Sequence, residues 1–205
     1  MSLVDDLIEA GILQTEAIIE AFRAVPRQGF LPVEVEDAAE QNMPLPIGEG
    51  QTNSQPMTVA QMLELLQPQP GHKVLDVGMG SGWLSGLLAT IVGSSGSVVA
   101  IEIRPSLCAM GKQHLEKAAL ADRVECREGN WEDQLRDDER FDRIVVSAAD
   151  AAIPARLKAA LADGGVLVMP VEDGATGDHV LVKLTRNGNE FTKESLPGFQ
   201  FVQLM

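Results

Sequence analysis

Residues 74–82 read Val74-Leu75-Asp76-Val77-Gly78-Met79-Gly80-Ser81-Gly82, and a predicted helix follows over residues 83–92. The first part is apolar enough for a buried strand, and glycine then occupies every second position. Glycine lets the backbone approach a ligand closely, and the N-terminus of the following helix offers unpaired N–H groups. Tight strand-to-helix turns use glycine for structural reasons as well, but three glycines at alternate positions favour a binding loop.

The spacing of these glycines separates two classes of ligand. In the dinucleotide fingerprint Gly-x-Gly-x-x-Gly, the third glycine would stand at Trp83, where an indole opposes close packing of helix on strand. The spacing Gly-x-Gly-x-Gly after Asp76 instead resembles the first motif of class I S-adenosylmethionine-dependent methyltransferases. Glu102 ends the next predicted strand, about 20 residues further on, where an acidic side chain can accept hydrogen bonds from both ribose hydroxyls.

Strands and helices alternate along the rest of the chain. Before the glycine turn, residues 3–24 are predicted as helix with a break near Gly11 and an N-cap at Thr15, residues 26–56 as loop or short turns, and residues 58–66 as helix. After it, strands over 73–78, 97–103, 123–127, 141–147 and 166–171 alternate with helices over 83–92, 105–119 and 154–161. Residues 179–204 contain three strand-like runs with turns at Asn187-Gly188-Asn189 and Pro197-Gly198. This order predicts an α/β fold: a single doubly wound, Rossmann-like domain whose mostly parallel central sheet has an antiparallel C-terminal edge.

The composition restricts the class of protein. The 205 residues fit one domain, with N-terminal helices and a substrate loop over residues 1–70 and a cofactor-binding core over residues 71–205. The net charge of −14 is spread along the chain and should repel nucleic acids. Apolar runs are too short for a membrane span, and the acidic N-terminus does not resemble a secretory signal. With two cysteines and no metal-binding spacing, we expect a cytoplasmic, metal-free protein without nucleic-acid or membrane partners.

A second segment carries a family resemblance. Residues 46–56, Pro46-Ile47-Gly48-Glu49-Gly50-Gln51-Thr52-Asn53-Ser54-Gln55-Pro56, resemble a signature of protein-L-isoaspartate O-methyltransferases. Further similarity lies in Val25-Pro26-Arg27 with Phe30-Leu31-Pro32, in residues 141–144 and 147–149, in residues 161–165 and 169–171, and in residues 199–204. The resemblance implies repair of damaged proteins by methylation of the α-carboxylate of an L-isoaspartyl residue, whose ester then closes spontaneously to a succinimide.

The resemblance also implies the residues of the site. The donor would be S-adenosylmethionine, with S-adenosylhomocysteine as product, and the protein would act as a monomer on isoaspartyl proteins or peptides. Ser54 would be the catalytic residue, and Thr52, Ser54, Ala149 and Val202 would bind the substrate. The predicted cofactor-binding residues are Gln51, Thr52, Asn53, Asp76, Gly78, Gly80, Ser81, Gly82, Glu102, Ile103, Asn130, Trp131 and Ser147. Two positions depart from the family, which usually has an aliphatic residue at Asn53 and Asp-Gly at Asn130-Trp131.

The chemistry of the acceptor agrees with the residues present. A carboxylate with a pKa near 4 is ionised at neutral pH and needs no strong general base. His72, His114 and His179 lie outside any recognisable catalytic constellation, and a structural or surface role is favoured for each. We therefore hypothesise that Ser54 and neighbouring backbone amides orient the acceptor carboxylate rather than remove a proton.

Two other functions stay open from the sequence. A methyltransferase of another carboxylate or small-molecule acceptor would bind S-adenosylmethionine without acting on isoaspartyl peptides, and Asn53 and Trp131 favour it. The second is a non-catalytic binding module or a nucleotide-dependent oxidoreductase. Failure to bind S-adenosylmethionine, or binding of NAD, would indicate it.

Overall fold

The computed structural model describes residues 2–174 and 177–205. Its helices are α1 (Leu3–Glu9), α2 (Glu16–Ala24), α3 (Pro56–Leu66), α4 (Trp83–Val92), α5 (Pro105–Lys117), α6 (Trp131–Gln134) and α7 (Ala155–Ala160). Its strands are β1 (Leu45–Gly48), β2 (Gln51–Asn53), β3 (Lys73–Val77), β4 (Ser97–Glu102), β5 (Val124–Glu128), β6 (Phe141–Val146), β7 (Leu161–Glu172), β8 (His179–Asn187) and β9 (Glu190–Phe199). Short 3-10 turns lie at Arg27–Phe30, Glu36–Ala38, Gly93–Ser95 and Ala121–Arg123.

The larger sheet has the strand order β5-β4-β3-β6-β7-β8-β9. Neighbouring strands pair in parallel from β5 to β7, and β8 and β9 are antiparallel additions at one edge. Strand β3 pairs with β4 on one side and with β6 on the other, so successive connections leave it in opposite directions. Ligands bind at such a switch point, beyond the carboxyl ends of the strands. The predicted doubly wound fold and its antiparallel C-terminal edge are confirmed.

Alternate residues of the central strands pack on opposite faces of the sheet. Val74 in β3 joins the cluster formed with α1 to α5, whereas Leu75 and Val77 join the cluster formed with α6 and α7. Strand β4 divides in the same way, with Val98 on the first face and Val99 on the second. Burial on both faces explains why these strands read as continuous apolar runs. The first cluster draws on both residues 1–70 and residues 71–205.

The N-terminal helices are divided where the sequence predicts. Gly11, with a φ of 69°, lies between α1 and α2, and Thr15 is the N-cap residue of α2. The Thr15 side chain does not cap the helix: its hydroxyl donates a 2.7 Å hydrogen bond to the carboxylate of Glu64 in α3, and its oxygen accepts a 3.1 Å bond from Gln67. Glu64 also accepts the backbone N–H groups of Gln14 and Thr15, and these bonds attach α2 to α3.

The predicted loop over residues 26–56 contains more structure than expected. Strands β1 and β2 form a hairpin in which Leu45 pairs with Asn53 and Pro46 with Thr52. Glu49 and Gly50 turn the chain with φ values of 53° and 69°. The hairpin buries Ile47 and leads directly into Ser54 and α3.

The sequence is wrong about the last strands. It predicts three runs with a turn at Pro197-Gly198, but β9 continues to Phe199, with Val180 opposite Pro197 and His179 opposite Phe199. A proline is tolerated there because β9 is an edge strand, where a missing N–H breaks no ladder bond to a further strand. Helix α6 was also not predicted, because one turn is too short to show a helical repeat.

None of the helices in the described ranges is long and apolar enough to cross a membrane.

Asp76 is a fully buried carboxyl group in β3. One oxygen accepts a 2.6 Å hydrogen bond from the Ser85 hydroxyl in α4, and the other has no partner among the described residues. The pKa of Asp76 is raised to about 7, mainly by burial; the Ser85 hydrogen bond opposes this shift, and the charge of Glu102 adds a smaller part of it. A buried carboxylate without full pairing is costly, so Asp76 destabilises the fold when it ionises.

We expect the free energy of unfolding to fall as the pH rises from 3.8 to about 7, because within this window Asp76 keeps its proton when folded and loses it when unfolded. Below the window the group is protonated in both states, and above it the full cost persists. Asp76 should account for a fall of up to about 4 kcal/mol in the free energy of unfolding across this window, and the Asp76→Asn variant should lack that fall. Urea unfolding at several pH values measures it. The exposed Asp133→Asn serves as control, and equal slopes for both variants would contradict the expectation.

Candidate active site

A cavity opens at the carboxyl ends of β3, β4 and β6. It encloses about 940 Å³, counting the part that is open to solvent. Four segments form its wall: the hairpin that leads into Ser54, the glycine turn after β3, the loop after β4, and the C-terminal residues. Apolar side chains of Ile47, Met62, Leu84, Ile101 and Leu107 complete the lining.

The glycine turn has a backbone that residues with a side chain rarely adopt. Gly78, Gly80 and Gly82 have φ values of 87°, 54° and 88°. The N–H of Gly78 donates to the carbonyl of Ile101 at 2.9 Å, which joins the turn to the neighbouring strand. A Cβ at Gly80 would come within 3.2 Å of Cδ1 of Ile47, so the absence of a side chain lets the hairpin lie over the turn.

Glu102 holds the turn from the end of β4. Its side chain is buried, and one carboxylate oxygen accepts the N–H of Gly80 at 2.8 Å while the other accepts the N–H of Arg104 at 3.0 Å. A carboxylate has about four lone-pair sites, so each oxygen can accept a further hydrogen bond. Since Glu102 also lines the cavity, it can bind the two hydroxyls of a ribose.

The hairpin is attached to the glycine turn through Asn53. The Asn53 amide nitrogen donates a 2.9 Å hydrogen bond to the Ser81 hydroxyl, and the amide oxygen accepts a 2.8 Å bond from Arg27. The next residue, Ser54, lies at the cavity wall and is half-buried. Its hydroxyl makes no hydrogen bond to any other residue that the structure describes, so it is available to a ligand.

The C-terminal residues cover one side of the cavity. Ala149 donates its N–H to the carbonyl of Val202 and accepts the N–H of Leu204, each at 2.7 Å. Gln203 reaches Glu172 with a 3.2 Å hydrogen bond. These contacts hold residues 202–205 along the loop that follows β6, where all four line the cavity.

The structure brings most of the predicted site residues together. The cavity wall includes Gln51, Thr52, Asn53, Ser54, Gly78, Gly80, Ser81, Glu102, Ile103, Trp131, Ser147 and Val202. Every segment that the sequence assigns to donor or acceptor therefore contributes to one cavity.

Four predicted residues lie outside the cavity wall. The Asp76 side chain points to Ser85 beneath the turn, and Gly82 packs against α5. Asn130 uses its side-chain oxygen to cap α6 through the N–H of Glu132, and Ala149 presents its backbone to the C-terminal residues. Direct ligand contact by these four stays a prediction.

Gly111 is a positioning residue that sequence reasoning missed. It lies in α5, where a Cβ would come within 2.7 Å of Cε of Met79 and 3.0 Å of the carbonyl oxygen of Gly80. Helix α5 therefore packs directly on the backbone of the glycine turn. Glycine inside a helix costs about 1 kcal/mol relative to alanine, so a glycine amid an otherwise regular helix was the available signal.

Arg27 was also missed as a site residue, although its motif carries part of the family resemblance. Its hydrogen-bond acceptors lie 12 to 27 residues further along the chain. No local pattern marks such a partnership, so only the structure shows it.

Solved methyltransferase structures resemble the chain. A Plasmodium falciparum structure described as a protein-L-isoaspartate O-methyltransferase in complex with S-adenosyl-L-homocysteine superposes with a TM-score of 0.87 at 23% identity, covering 99% of this chain and 96% of that one. A second structure named protein-L-isoaspartate O-methyltransferase gives a TM-score of 0.86 at 22% identity, covering 98% and 64%. Together with the glycine turn, this likeness defines the class as a Rossmann-like methyltransferase fold.

The chain belongs to the protein-L-isoaspartate(D-aspartate) O-methyltransferase (PCMT) family, whose sequence model matches residues 1–205. The protein-L-isoaspartate O-methyltransferase of Pyrobaculum islandicum is 38% identical over 204 residues, which cover 100% of this chain and 98% of the relative. That of Shewanella pealeana is 39% identical over 205 residues, with 100% and 93% covered. The family resemblance seen in the sequence is confirmed.

We expect Gly111→Ala to weaken binding of S-adenosylhomocysteine roughly tenfold, because the added methyl group displaces the Gly80 carbonyl and with it the turn. Stability should also fall, because overpacking against the turn costs about 1–3 kcal/mol, which outweighs the roughly 1 kcal/mol that alanine gains as a helix former. Calorimetry would measure the affinity and thermal unfolding the stability. Gly29→Ala is the control, since a Cβ there meets no atom within 4 Å. Wild-type affinity in Gly111→Ala would show that the turn does not depend on this contact.

Proposed function

We propose that this protein transfers a methyl group from S-adenosylmethionine to the α-carboxylate of L-isoaspartyl residues in damaged proteins. The observation that carries the proposal is that Ser54 lines the same cavity as Glu102 and the glycine turn. Membership in the PCMT family over residues 1–205 supports the same reaction.

The residues present fit S-adenosylmethionine. Glu102 has unused acceptor sites for the ribose hydroxyls, and Ile103 and Trp131 offer apolar surface to the adenine. Gly78, Gly80 and Ser81 would hold the amino-acid part of the donor, where the turn brings backbone rather than side chains to the cavity wall. The alternate glycines are what permit this close approach.

The proposed reaction needs orientation more than proton transfer. S-adenosylmethionine supplies an electrophilic methyl group on a positively charged sulfonium. The acceptor carboxylate is already ionised at neutral pH, so the protein has no proton to remove. Alignment of two reactants can contribute up to roughly 7–11 kcal/mol, which makes the geometry of the cavity the main contribution of the chain.

The cavity wall agrees with a reaction that uses no general base. The described residues that line it include neither histidine nor cysteine nor lysine. His114 uses Nδ1 at the Ser81 carbonyl, and His179 accepts the N–H of Phe201, so both have structural contacts. The Glu102 carboxylate is engaged by two backbone N–H groups, which suits ligand binding rather than proton transfer.

Ser54 is the candidate for orienting the acceptor. Its carbonyl is held by Arg27 at 3.0 Å, while its hydroxyl is free among the described residues and lies at the cavity wall. A hydroxyl that donates to a carboxylate forms a charge-assisted hydrogen bond, which is short and directional. Ser54 thus supports the acceptor without taking part in bond making.

The two departures from the family leave room for the donor. Asn53 points to Arg27 and Ser81, so it replaces an aliphatic residue without projecting charge into the cavity. Trp131 is buried in the core cluster beside α6 and contributes to the cavity wall. The cytoplasmic location, the monomeric state and the exclusion of nucleic-acid and membrane partners stay predictions of the sequence.

We expect labelled methyl groups to pass from S-adenosylmethionine to an isoaspartyl peptide and not to the same peptide with a normal aspartyl residue. Both peptides carry a carboxylate, so only the geometry of the acceptor separates them. Binding of S-adenosylmethionine, measured by calorimetry, completes the test. Binding without transfer to the isoaspartyl peptide would point to another acceptor, and failure to bind would reject the methyltransferase assignment.

We expect Ser54→Ala to lower kcat/KM for the isoaspartyl peptide roughly 10- to 100-fold, the range for losing one hydrogen bond to a charged group. Affinity for S-adenosylhomocysteine should stay near that of the wild type, because Ser54 acts on the acceptor. Ser94→Ala, an exposed serine in the turn after α4, is the matched control. A wild-type rate and KM in Ser54→Ala would remove Ser54 from the mechanism.

A further inference from the structure

Arg27 is a buried guanidinium beneath the segment that carries Ser54. It is 3% exposed and donates hydrogen bonds to six oxygens, and each of these acceptors is neutral. They are the Asn53 side-chain oxygen and the carbonyls of Ala39, Gln41, Met43, Asn53 and Ser54. Arg27 makes no ion pair with any carboxylate in residues 2–174 and 177–205.

A buried cation without a carboxylate partner is unusual, because burial disfavours charge and is ordinarily offset by pairing. Burial lowers the pKa of Arg27 to about 10, which still leaves the guanidinium protonated at neutral pH. The positive charge therefore persists beneath this segment, and no described acidic side chain cancels it. Six hydrogen bonds and the Trp83 ring, whose centroid lies 5.6 Å from the guanidinium carbon, offset the cost of burial without cancelling the charge.

The hydrogen bonds of Arg27 also orient two peptide groups next to the cavity. The Nη2 nitrogen of Arg27 donates hydrogen bonds to the carbonyls of Asn53 at 3.1 Å and Ser54 at 3.0 Å. The C=O and N–H of a planar trans peptide point in opposite directions. The N–H groups of Ser54 and Gln55 consequently point away from the guanidinium, and neither donates to another described residue.

The surrounding charge makes this arrangement relevant to an anionic acceptor. The chain has a net charge of −14, which opposes the approach of a carboxylate. Among the described residues, Glu102 and Arg104 are the charged side chains that line the cavity wall, and Glu102 adds to the repulsion. The positive charge of Arg27, which lies behind Ser54 and adds to that of Arg104, opposes this repulsion of the acceptor carboxylate.

We propose that Arg27 is a positioning residue of the acceptor site, whose unpaired positive charge attracts the acceptor carboxylate to Ser54 while its hydrogen bonds hold the Asn53 and Ser54 peptides in place. The proposal rests on the proposed function, because it takes the acceptor to be an anion beside Ser54. Asn53 holds the guanidinium in position without neutralising its charge, whereas an acidic residue at the same place would neutralise it.

Asn53→Asp tests the charge with almost no change of shape. An aspartate retains an oxygen for Arg27 Nε, and the Ser81 hydroxyl can donate to its second oxygen, so the fold is kept while the guanidinium gains a counter-ion. We expect the KM for the isoaspartyl peptide to rise roughly tenfold, with kcat changed by less than about threefold. Affinity for cationic S-adenosylmethionine should rise several-fold relative to neutral S-adenosylhomocysteine, for the same electrostatic reason. The new carboxylate also lies at the cavity wall and acts on both ligands directly, so Arg27→Gln, which removes the positive charge without adding a negative one, is needed to assign the shift to Arg27.

Asn189→Asp is the matched control, because it makes the same chemical change at an exposed position in the turn between β8 and β9. The ratio of the two cofactor affinities is independent of the acceptor, so it tests Arg27 even if the wild type fails to methylate the isoaspartyl peptide and the proposed function is rejected. A ratio within about twofold of the Asn189→Asp value would overturn the proposal, as would a shifted ratio with an unchanged peptide KM in an active enzyme.

Arg27→Gln should shift both quantities in the same direction, and wild-type values in that variant would overturn the proposal. Arg27→Lys keeps the charge with fewer hydrogen bonds and serves if the glutamine variant does not fold. Near wild-type quantities in Arg27→Lys would support the role of the charge, and shifts as large as those in Asn53→Asp would overturn it.

Discussion

Strand β3 lies between β4 and β6, and much of the site follows from this position. The segments that leave the carboxyl ends of these three strands must diverge around one crevice, because their connections run to opposite faces of the sheet. The glycine turn, Glu102 and Ser147 reach the crevice from these three strand ends. Their proximity is thus a consequence of strand order, and it does not depend on contacts among the residues themselves.

Backbone contact, more than side-chain contact, shapes the donor side of the crevice. Gly80 and Gly111 have no side chains where the turn meets the hairpin and α5, so three segments approach at close to the minimum distance. Glu102 then accepts the N–H of Gly80 and holds the turn to the end of β4. Close-packed backbone has few alternative arrangements, and this gives the donor side a rigid wall.

Buried ionisable groups distinguish the two sides of the site. On the donor side, Asp76 is buried under the turn and Glu102 is held by backbone N–H groups. On the acceptor side, Arg27 is a buried cation whose acceptors are all neutral. Glu102 thus lies near the proposed cationic donor and Arg27 near the proposed anionic acceptor, an arrangement of complementary charge. Asn53 lies where the two sides meet, bonded to Arg27 and to Ser81.

The sequence by itself determined the fold class, the glycine turn and most of the residues that line the cavity. Residues 74–82 are decisive because the strand, the glycines and the following helix are local features whose physical effects depend on near neighbours. Local information failed where the tertiary environment decides: β9 runs through Pro197 because an edge strand tolerates it, and α6 is too short to show a repeat. The roles of Gly111 and Arg27 depend on contacts with residues distant in the chain, and the burial of Asp76 likewise on α4. Only the folded chain brings those partners within reach, since packing distances and the loss of water around a charge are properties of the tertiary structure.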